Sequence, residues 1–246
     1  MNVEGKVAVV TGASRGIGLG VARYFERVGM KVGLCARAAA APEGVEFAPG
    51  RALYRSVDVT DAAAVDAFAG EVASGLGPID LWINNAGVLA PIGMTRDVDP
   101  AAWRSLIDVN VVGVYHGCRS YIRHLRGIGH QGCVINIGSG ASQAAYAGWG
   151  PYCASKAAVD HFTRCLAQEE GDVARVFCLA PGVIETGMQQ YIREQTTESF
   201  PAVAKFQALH DDGLLKDVES PATAMLELAF GADRSGEDVC FDVRTM

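Results

Sequence analysis

The chain has 246 residues, 50% of them hydrophobic, which suits one large core and falls short of two independent domains. Its formal net charge of -7 excludes a broad electrostatic surface for nucleic acid or anionic membrane, so an anionic ligand must be met by local positive groups. The start, Met1-Asn2-Val3-Glu4-Gly5-Lys6, lacks a basic region followed by an apolar run, and no stretch reaches bilayer length, so a cytoplasmic protein is expected.

Val7-Ala8-Val9-Val10 reads as a strand ending at Thr11. Gly12-Ala13-Ser14-Arg15-Gly16-Ile17-Gly18 then turns into a helix predicted over 19–28. A strand, a glycine turn and a helix start place unpaired N–H groups around a concavity that suits a pyrophosphate. The glycines at 12, 16 and 18 make the pattern TGxxxGxG. A second strand over 31–36 ends in Ala36-Arg37, where a fold selecting the unphosphorylated ribose carries an acid. Arg15 and Arg37, with no carboxylate at that edge, suit a 2′-phosphate and so NADP(H).

Residues 38–51, with Pro42, Gly44, Pro49 and Gly50, read as a loop in place of a full second helix. A third strand is predicted over 52–57. Asp58, followed by Val59, either accepts a bond from an adenine amino group or caps the helix predicted over 62–73. A fourth strand over 80–83 leads into Asn84-Asn85-Ala86-Gly87, a tight turn whose amides hold neighbouring backbone and leave room for a flat ring or ribose.

A long helix is predicted over 100–126. Asn110 is a poor residue for its interior, which marks a structural amide or a water site at a local break. A fifth strand over 133–137 exits through Gly138-Ser139-Gly140, and Ser139 can share a space with Tyr152 if loop 140–151 folds back. After Pro151, Tyr152-Cys153-Ala154-Ser155-Lys156 begins another helix, with Tyr152 and Lys156 on one face. A phenol works as an acid or base near neutrality only if its phenolate is favoured, and an ammonium one turn away supplies that. A sixth strand over 173–179 ends at Pro181-Gly182, and a seventh over 238–241 lies within residues 236–242. Alternating strands and helices predict a doubly wound, mostly parallel seven-stranded α/β sheet of the Rossmann kind in a single domain spanning 1–246. Gly12, Asn85, Ser139 and Pro181 then line one cleft. The seven cysteines, at 35, 118, 133, 153, 165, 178 and 240, contain no CxxC pair and read as reduced, mostly buried thiols without a disulfide or metal role.

Taken together, the glycine turn, Asp58, the NNAG turn, Asn110, Ser139, the YxxxK pair and Pro181-Gly182-Val183-Ile184-Glu185-Thr186 resemble the short-chain dehydrogenase/reductase family over nearly the whole chain. The resemblance implies a catalytic tetrad of Asn110, Ser139, Tyr152 and Lys156. Tyr152 would donate the proton, Ser139 hold the substrate oxygen, Lys156 bind the nicotinamide ribose, and Asn110 hold a water. It also implies cofactor contacts at Gly12, Ser14, Arg15, Gly16, Ile17, Gly18, Arg37, Asp58, Val59, Asn85, Ala86, Gly87, Tyr152, Lys156, Pro181, Gly182, Ile184 and Thr186.

Within that family, residues 185–190 and 206–215 resemble sepiapterin reductase and the bacterial benzil (1,2-diketone) reductases. Cys240 stands where sepiapterin reductase carries its pterin-anchoring aspartate, which argues against a pterin. Ser139, Tyr146, Trp149, Tyr152, Met188 and Cys240 are the expected substrate contacts, under a helical cover at about 187–215. A ketone or diketone reductase is expected, as a homodimer or homotetramer built through the helices over 102–126 and 152–169. The alternatives are a pteridine reductase, a 3-oxoacyl thioester reductase docking through Arg119, Arg123 and Arg126, an alcohol dehydrogenase, and a non-catalytic NADP(H)-binding protein.

Overall fold

Short runs of valine, leucine and isoleucine pair in parallel, and both faces of the resulting sheet are covered by helices, which is why the central strands are apolar throughout rather than alternating. The computed structural model describes residues 2–41, 47–232 and 238–246. Its strands are β1 (Val7–Thr11), β2 (Lys31–Ala36), β3 (Ala52–Ser56), β4 (Ile79–Asn84), β5 (Gly132–Ile137), β6 (Ala174–Ala180) and β7 (Cys240–Asp242). They lie in the order β3-β2-β1-β4-β5-β6-β7, with every neighbouring pair parallel. The strand order reverses between β1 and β4, so a cleft opens there at the carboxyl ends.

Helices α1 (Gly16–Arg27) and α8 (Glu219–Phe230) cover one face, where Phe25 and Met225 pack on Val10, Leu34, Ile83 and Ile135. On the other face lie α2 (Ala62–Leu76), α4 (Gly113–Ile128) and α5 (Gly150–Glu170), with Phe68, Tyr121 and Leu166 against Val9, Trp82 and Val134. Burial pushes the Cys35, Cys118 and Cys133 thiols up to about 12, so these act as packing residues. Cys165 is exposed.

Helix starts follow local chemistry. Asp61 accepts bonds from Ala63 N and Ala64 N at 2.9 and 3.1 Å and so caps α2. The cap reading for Asp58 is therefore corrected, since Asp58 bonds Thr60 N and Oγ1 instead. Asp99 caps α3 (Pro100–Ile107), which has proline in its first turn. The single helix expected over 100–126 is three segments: α3, a π-helical turn over Asp108–Val112, and α4. The wider turn surrounds Asn110, the residue that disfavours a regular helix, and α4 runs two residues past 126 before Gly129 closes it in the left-handed region at φ 63°.

Strand β7 begins at Cys240, not 238. Asp238 bonds back to Cys240 N and pairs with Arg164, which turns the chain ahead of the strand. Residues 236 and 237 of the expected strand, and Pro42 and Gly44 of the expected loop, lie outside the described residues. Between β2 and β3 the described residues contain no helix. After β6, residues 187–215 make an excursion containing α6 (Gly187–Arg193) and α7 (Val203–Asp211). Its stems are pinned together by Lys216 N to Val183 O at 3.0 Å and Glu185 N to Lys216 O at 3.4 Å. No helix of the described residues is long and apolar enough to cross a membrane.

Candidate active site

At the end of β1, Gly12 takes φ +67°, and a Cβ there would lie 2.7 Å from Ala86 Cα. Only glycine satisfies both the dihedral and the close approach. Gly18 packs equally tightly, its missing Cβ standing 2.4 Å from Asn85 Nδ2 and 2.6 Å from Gly12 O. Helix α1 has Arg15 at its N-cap with no side-chain cap, and no acid in its first turn. Its leading N–H groups are therefore left to a ligand, and the positive end of the helix favours an anion. That uncapped start, beside a turn with glycine at 12, 16 and 18, fits a dinucleotide pyrophosphate.

The two asparagines after β4 serve opposite directions. Asn84 points into the core, where its Nδ2 donates to Asn136 Oδ1 at 2.9 Å and its Oδ1 accepts from Trp82 Nε1 at 2.8 Å. Asn136 Nδ2 in turn donates to Thr163 Oγ1 at 2.9 Å. Asn85 turns toward β1, donating to Thr11 O at 2.8 Å and Gly12 O at 3.2 Å. Thr11 Oγ1 accepts from Asn85 N and Ala86 N, both at 3.0 Å, and so ties the two turns together. Asn136 carried no motif in the sequence, and Thr11 stood there only as the first residue of the TGxxxGxG pattern, because the role of each depends on its cross-strand partner.

At the outer edge, β2 lies between β1 and β3, which sets Arg37 beside the glycine turn. Among the described residues the guanidinium groups of Arg15 and Arg37 have no hydrogen bond or ion pair, and both residues are exposed. Arg37, Asp58, Thr60, Arg104 and Asp108 line a depression of about 450 Å³. Arg104 is a third basic group here that no motif flagged. Val59 is buried, with its carbonyl 2.9 Å from His116 Nδ1.

At the inner end, Asn110 is 1% exposed and clamps the backbone of Val88, accepting from its N–H and donating to its C=O at 2.8 Å each. Its Nδ2 also reaches Ser155 Oγ at 3.1 Å, and Ser155 Oγ donates to Tyr152 O at 2.8 Å. Asn110 thereby joins the segment after the NNAG turn to the first turn of α5. Ser139 opens the short 3₁₀ turn Gly140–Ser142 and its Oγ accepts from Ala141 N at 3.2 Å. Ala141, Trp149 and Tyr152 share one apolar cluster, so the loop between them does fold back onto α5. Lys156 is 6% exposed; its Nζ donates to Ile137 O at 2.7 Å and sits 5.7 Å from the centre of the Tyr152 ring. The Tyr152 hydroxyl has no hydrogen-bond partner among the described residues, so its proton is free for a ligand.

Gly182 follows β6 at φ +82°. Thr186 caps α6 through Gln189 N, and a Cβ on Gly16 would lie 3.5 Å from Thr186 Cγ2. The glycine turn and the Pro181–Thr186 segment thus face each other across the cleft. Of the expected substrate contacts, Tyr146 is half-buried and accepts from Lys205 Nζ at 3.0 Å, and Met188 is 37% exposed. Trp149 is 4% exposed, stacks on Phe200 at 4.4 Å beneath α6 and α7, and stands edge-to-face with the Tyr152 ring at 5.7 Å. Cys240 has its Sγ 3.7 Å from Asp160 O, engaged with α5.

Residues 6–197 match the family model described as short chain dehydrogenase. A benzil reductase ((S)-benzoin forming) from Saccharomyces cerevisiae is 33% identical over 236 residues, covering 91% of this chain and 90% of that protein. A benzil reductase ((S)-benzoin forming) from Bacillus cereus is 35% identical over 149 residues, 59% of this chain and 60% of the relative. The crystal structure of the KRED1-Pglu enzyme superposes with a TM-score of 0.88 at 33% identity, over 96% of this chain and 99% of that one. With the glycine turn, the NNAG turn and the Tyr152–Lys156 helix set around one cleft, the chain belongs to the short-chain dehydrogenase/reductase family and is an oxidoreductase with that family's NAD(P)(H)-binding site.

Proposed function

We propose that this chain is an NADPH-dependent carbonyl reductase acting on ketones and 1,2-diketones, with Tyr152 as the proton donor. The Tyr152 hydroxyl, without a hydrogen-bond partner among the described residues and one turn from a buried Lys156, carries the reading. When bound, the nicotinamide cofactor supplies the hydride. Ser139 Oγ and Tyr152 Oη hold the substrate oxygen, and both bonds strengthen as that oxygen gains charge. Tyr152 then gives its proton to the oxygen. Lys156 holds the nicotinamide ribose, and Asn110 keeps the first turn of α5 in register with the NNAG turn, with a relay water at the π-helical turn. On the adenosine side, Arg15 and Arg37 pair with a 2′-phosphate and Asp58 meets the adenine amino group.

The diketone class is supported by similarity to two proteins named benzil reductases and by aromatic or apolar groups at Tyr146 and Met188. A pterin is disfavoured by Cys240 in place of the acid. Docking of an acyl carrier through a basic patch is disfavoured as well. Arg119 and Arg123 share Asp66 at 3.0 and 3.6 Å, and Arg126 is paired with Glu170 and Asp172 at 2.6 and 2.9 Å, so that surface is largely neutralised.

The test is a set of initial rates with benzil, 1-phenyl-1,2-propanedione, sepiapterin and an acetoacetyl thioester, each with NADPH and NADH. The diketones should give the highest kcat/KM, and NADPH should bind at least about tenfold tighter than NADH, or about 1.4 kcal/mol. Ala36→Asp with Arg37→Ile should erase or reverse that preference. Preference for sepiapterin, or equal dissociation constants for the two cofactors, would refute the corresponding half of the proposal.

The reading includes a homodimer or homotetramer assembled through α4 and α5. Support comes from Tyr115 on α4, 48% exposed and edge-to-face with Phe162 of α5 at 6.3 Å. Sedimentation at micromolar concentration should give twice or four times the chain mass; a monomer counts against this assembly.

A further inference from the structure

Beneath Ser139, on the α5 face of the sheet, three potential ligands from three elements converge. Cys178 of β6 and Cys240 of β7 are direct partners in the parallel ladder, and Asp160 lies on α5 above them. Cys178 Sγ is 3.1 Å from Asp160 Oδ1, and the two sulfurs and a carboxylate oxygen all lie within 4.8 Å of one another. We propose that Asp160, Cys178 and Cys240 form a binding site for a thiophilic divalent cation of the zinc class, with water in the fourth position.

Two sulfurs, one carboxylate and an open position make a borderline-soft donor set that suits zinc better than magnesium or calcium. Tetrahedral Zn–S bonds of about 2.3 Å set two sulfurs roughly 3.8 Å apart. No pair therefore needs to close by more than about an ångström, and Cys178 Sγ and Asp160 Oδ1, 3.1 Å apart, need to open slightly. Gly138 packs closely against the cluster, so that a Cβ there would stand 2.7 Å from Cys178 Sγ and 3.4 Å from Asp160 Oδ1 and would crowd an ion between them. Gly138 is not in the left-handed region, so space rather than backbone conformation is what disfavours a side chain there.

The surroundings are compatible with a cation. Among the described residues, the second carboxylate oxygen of Asp160 meets only a long contact from Gln143 Nε2 at 3.4 Å. The nearby cation, Arg164, is drawn to the carboxylate of Asp238. Cys240 is half-buried, which leaves a path from solvent. Binding releases the two thiol protons to solvent and transfers no electron. Its consequence is a clamp of β7 and β6 onto α5, the helix that carries Tyr152 and Lys156.

The full chain, purified under reductant and freed of metal, is titrated with Cd2+ as a spectroscopic probe and separately with Zn2+. A cadmium–thiolate charge-transfer band should saturate at one ion per chain, and Zn2+ should raise Tm. Cys178→Ser, Cys240→Ser and Gly138→Ala should each weaken the ion at least about tenfold, while Cys165→Ser leaves it unchanged. If buried Cys178→Ser fails to fold, Cys240→Ser near the carboxyl terminus decides the matter. In addition, Zn2+ should slow alkylation of Cys240 but not of exposed Cys165. A cadmium band that survives in Cys240→Ser, or no band in the reduced chain, overturns the proposal. So does a Cys178–Cys240 disulfide in the purified protein with no cadmium band after its reduction.

Discussion

Tyr152→Phe should lower kcat for diketone reduction by about a thousandfold, equivalent to about 4 kcal/mol of transition-state stabilisation, with the NADPH dissociation constant within about twofold of the parent. The hydroxyl makes no hydrogen bond among the described residues, so its removal leaves no orphaned partner in the fold. The ring keeps its edge-to-face contact with Trp149 at 5.7 Å. Tm should therefore be nearly unchanged, which separates loss of a proton donor from loss of structure. Stopped-flow reduction and fluorescence titration of NADPH measure the two quantities. Retention of more than about a tenth of kcat removes Tyr152 from the acid role.

Lys156→Met should have a broader effect: kcat lower by about a hundredfold or more, NADPH binding weaker by about tenfold, and a lower Tm. The side chain is of similar length and stays apolar along its stem, so packing is conserved while the ammonium is lost. Ile137 O would then lose the donor that now stands 2.7 Å away in a site where the residue is 6% exposed. An acceptor left buried without a partner costs about 1–3 kcal/mol. The same substitution removes the charge proposed to hold the ribose and assist Tyr152. Calorimetry, single-turnover rates and a cofactor titration resolve the three effects. Unchanged cofactor affinity beside a large kcat loss would exclude the ribose contact; a Tm loss alone would reduce Lys156 to a structural donor.

Much of this site was legible before any coordinates, because its motifs are defined by local geometry. A glycine needed for a left-handed turn, a proline opening a helix, and a tyrosine and lysine four residues apart all act within a few residues of one another. Asn110 belongs to this group. It marked either a structural amide or a water site at a local break within one expected helix; a π-helical turn forms around it, and its amide bonds Val88 and Ser155. The choice between the two roles open to Asp58, adenine contact or helix cap, needed the structure for a related reason. Two aspartates, Asp58 and Asp61, stand close to the start of α2, and only the one immediately before it can present its carboxylate to the leading N–H groups.

Fold class, the phosphate turn, the order of the strands along the chain and the Tyr152–Lys156 pair were thus determined by sequence alone, since periodicity and turn chemistry are short-range properties. Tertiary structure decided what depends on partners far apart in the chain. It turned Asn84 into the core and Asn85 toward the glycine turn, because Asn136 lies across from the first and Thr11 beside the second. The cover folded Phe200 of the excursion onto Trp149, a stacking that no local pattern around position 149 announces. Cysteine spacing argued against any grouping of thiols, yet the β6–β7 register and the approach of α5 bring Asp160, Cys178 and Cys240 within 4.8 Å. Ligands drawn from separate strands and helices have no fixed spacing, so only the packing of the sheet could reveal them.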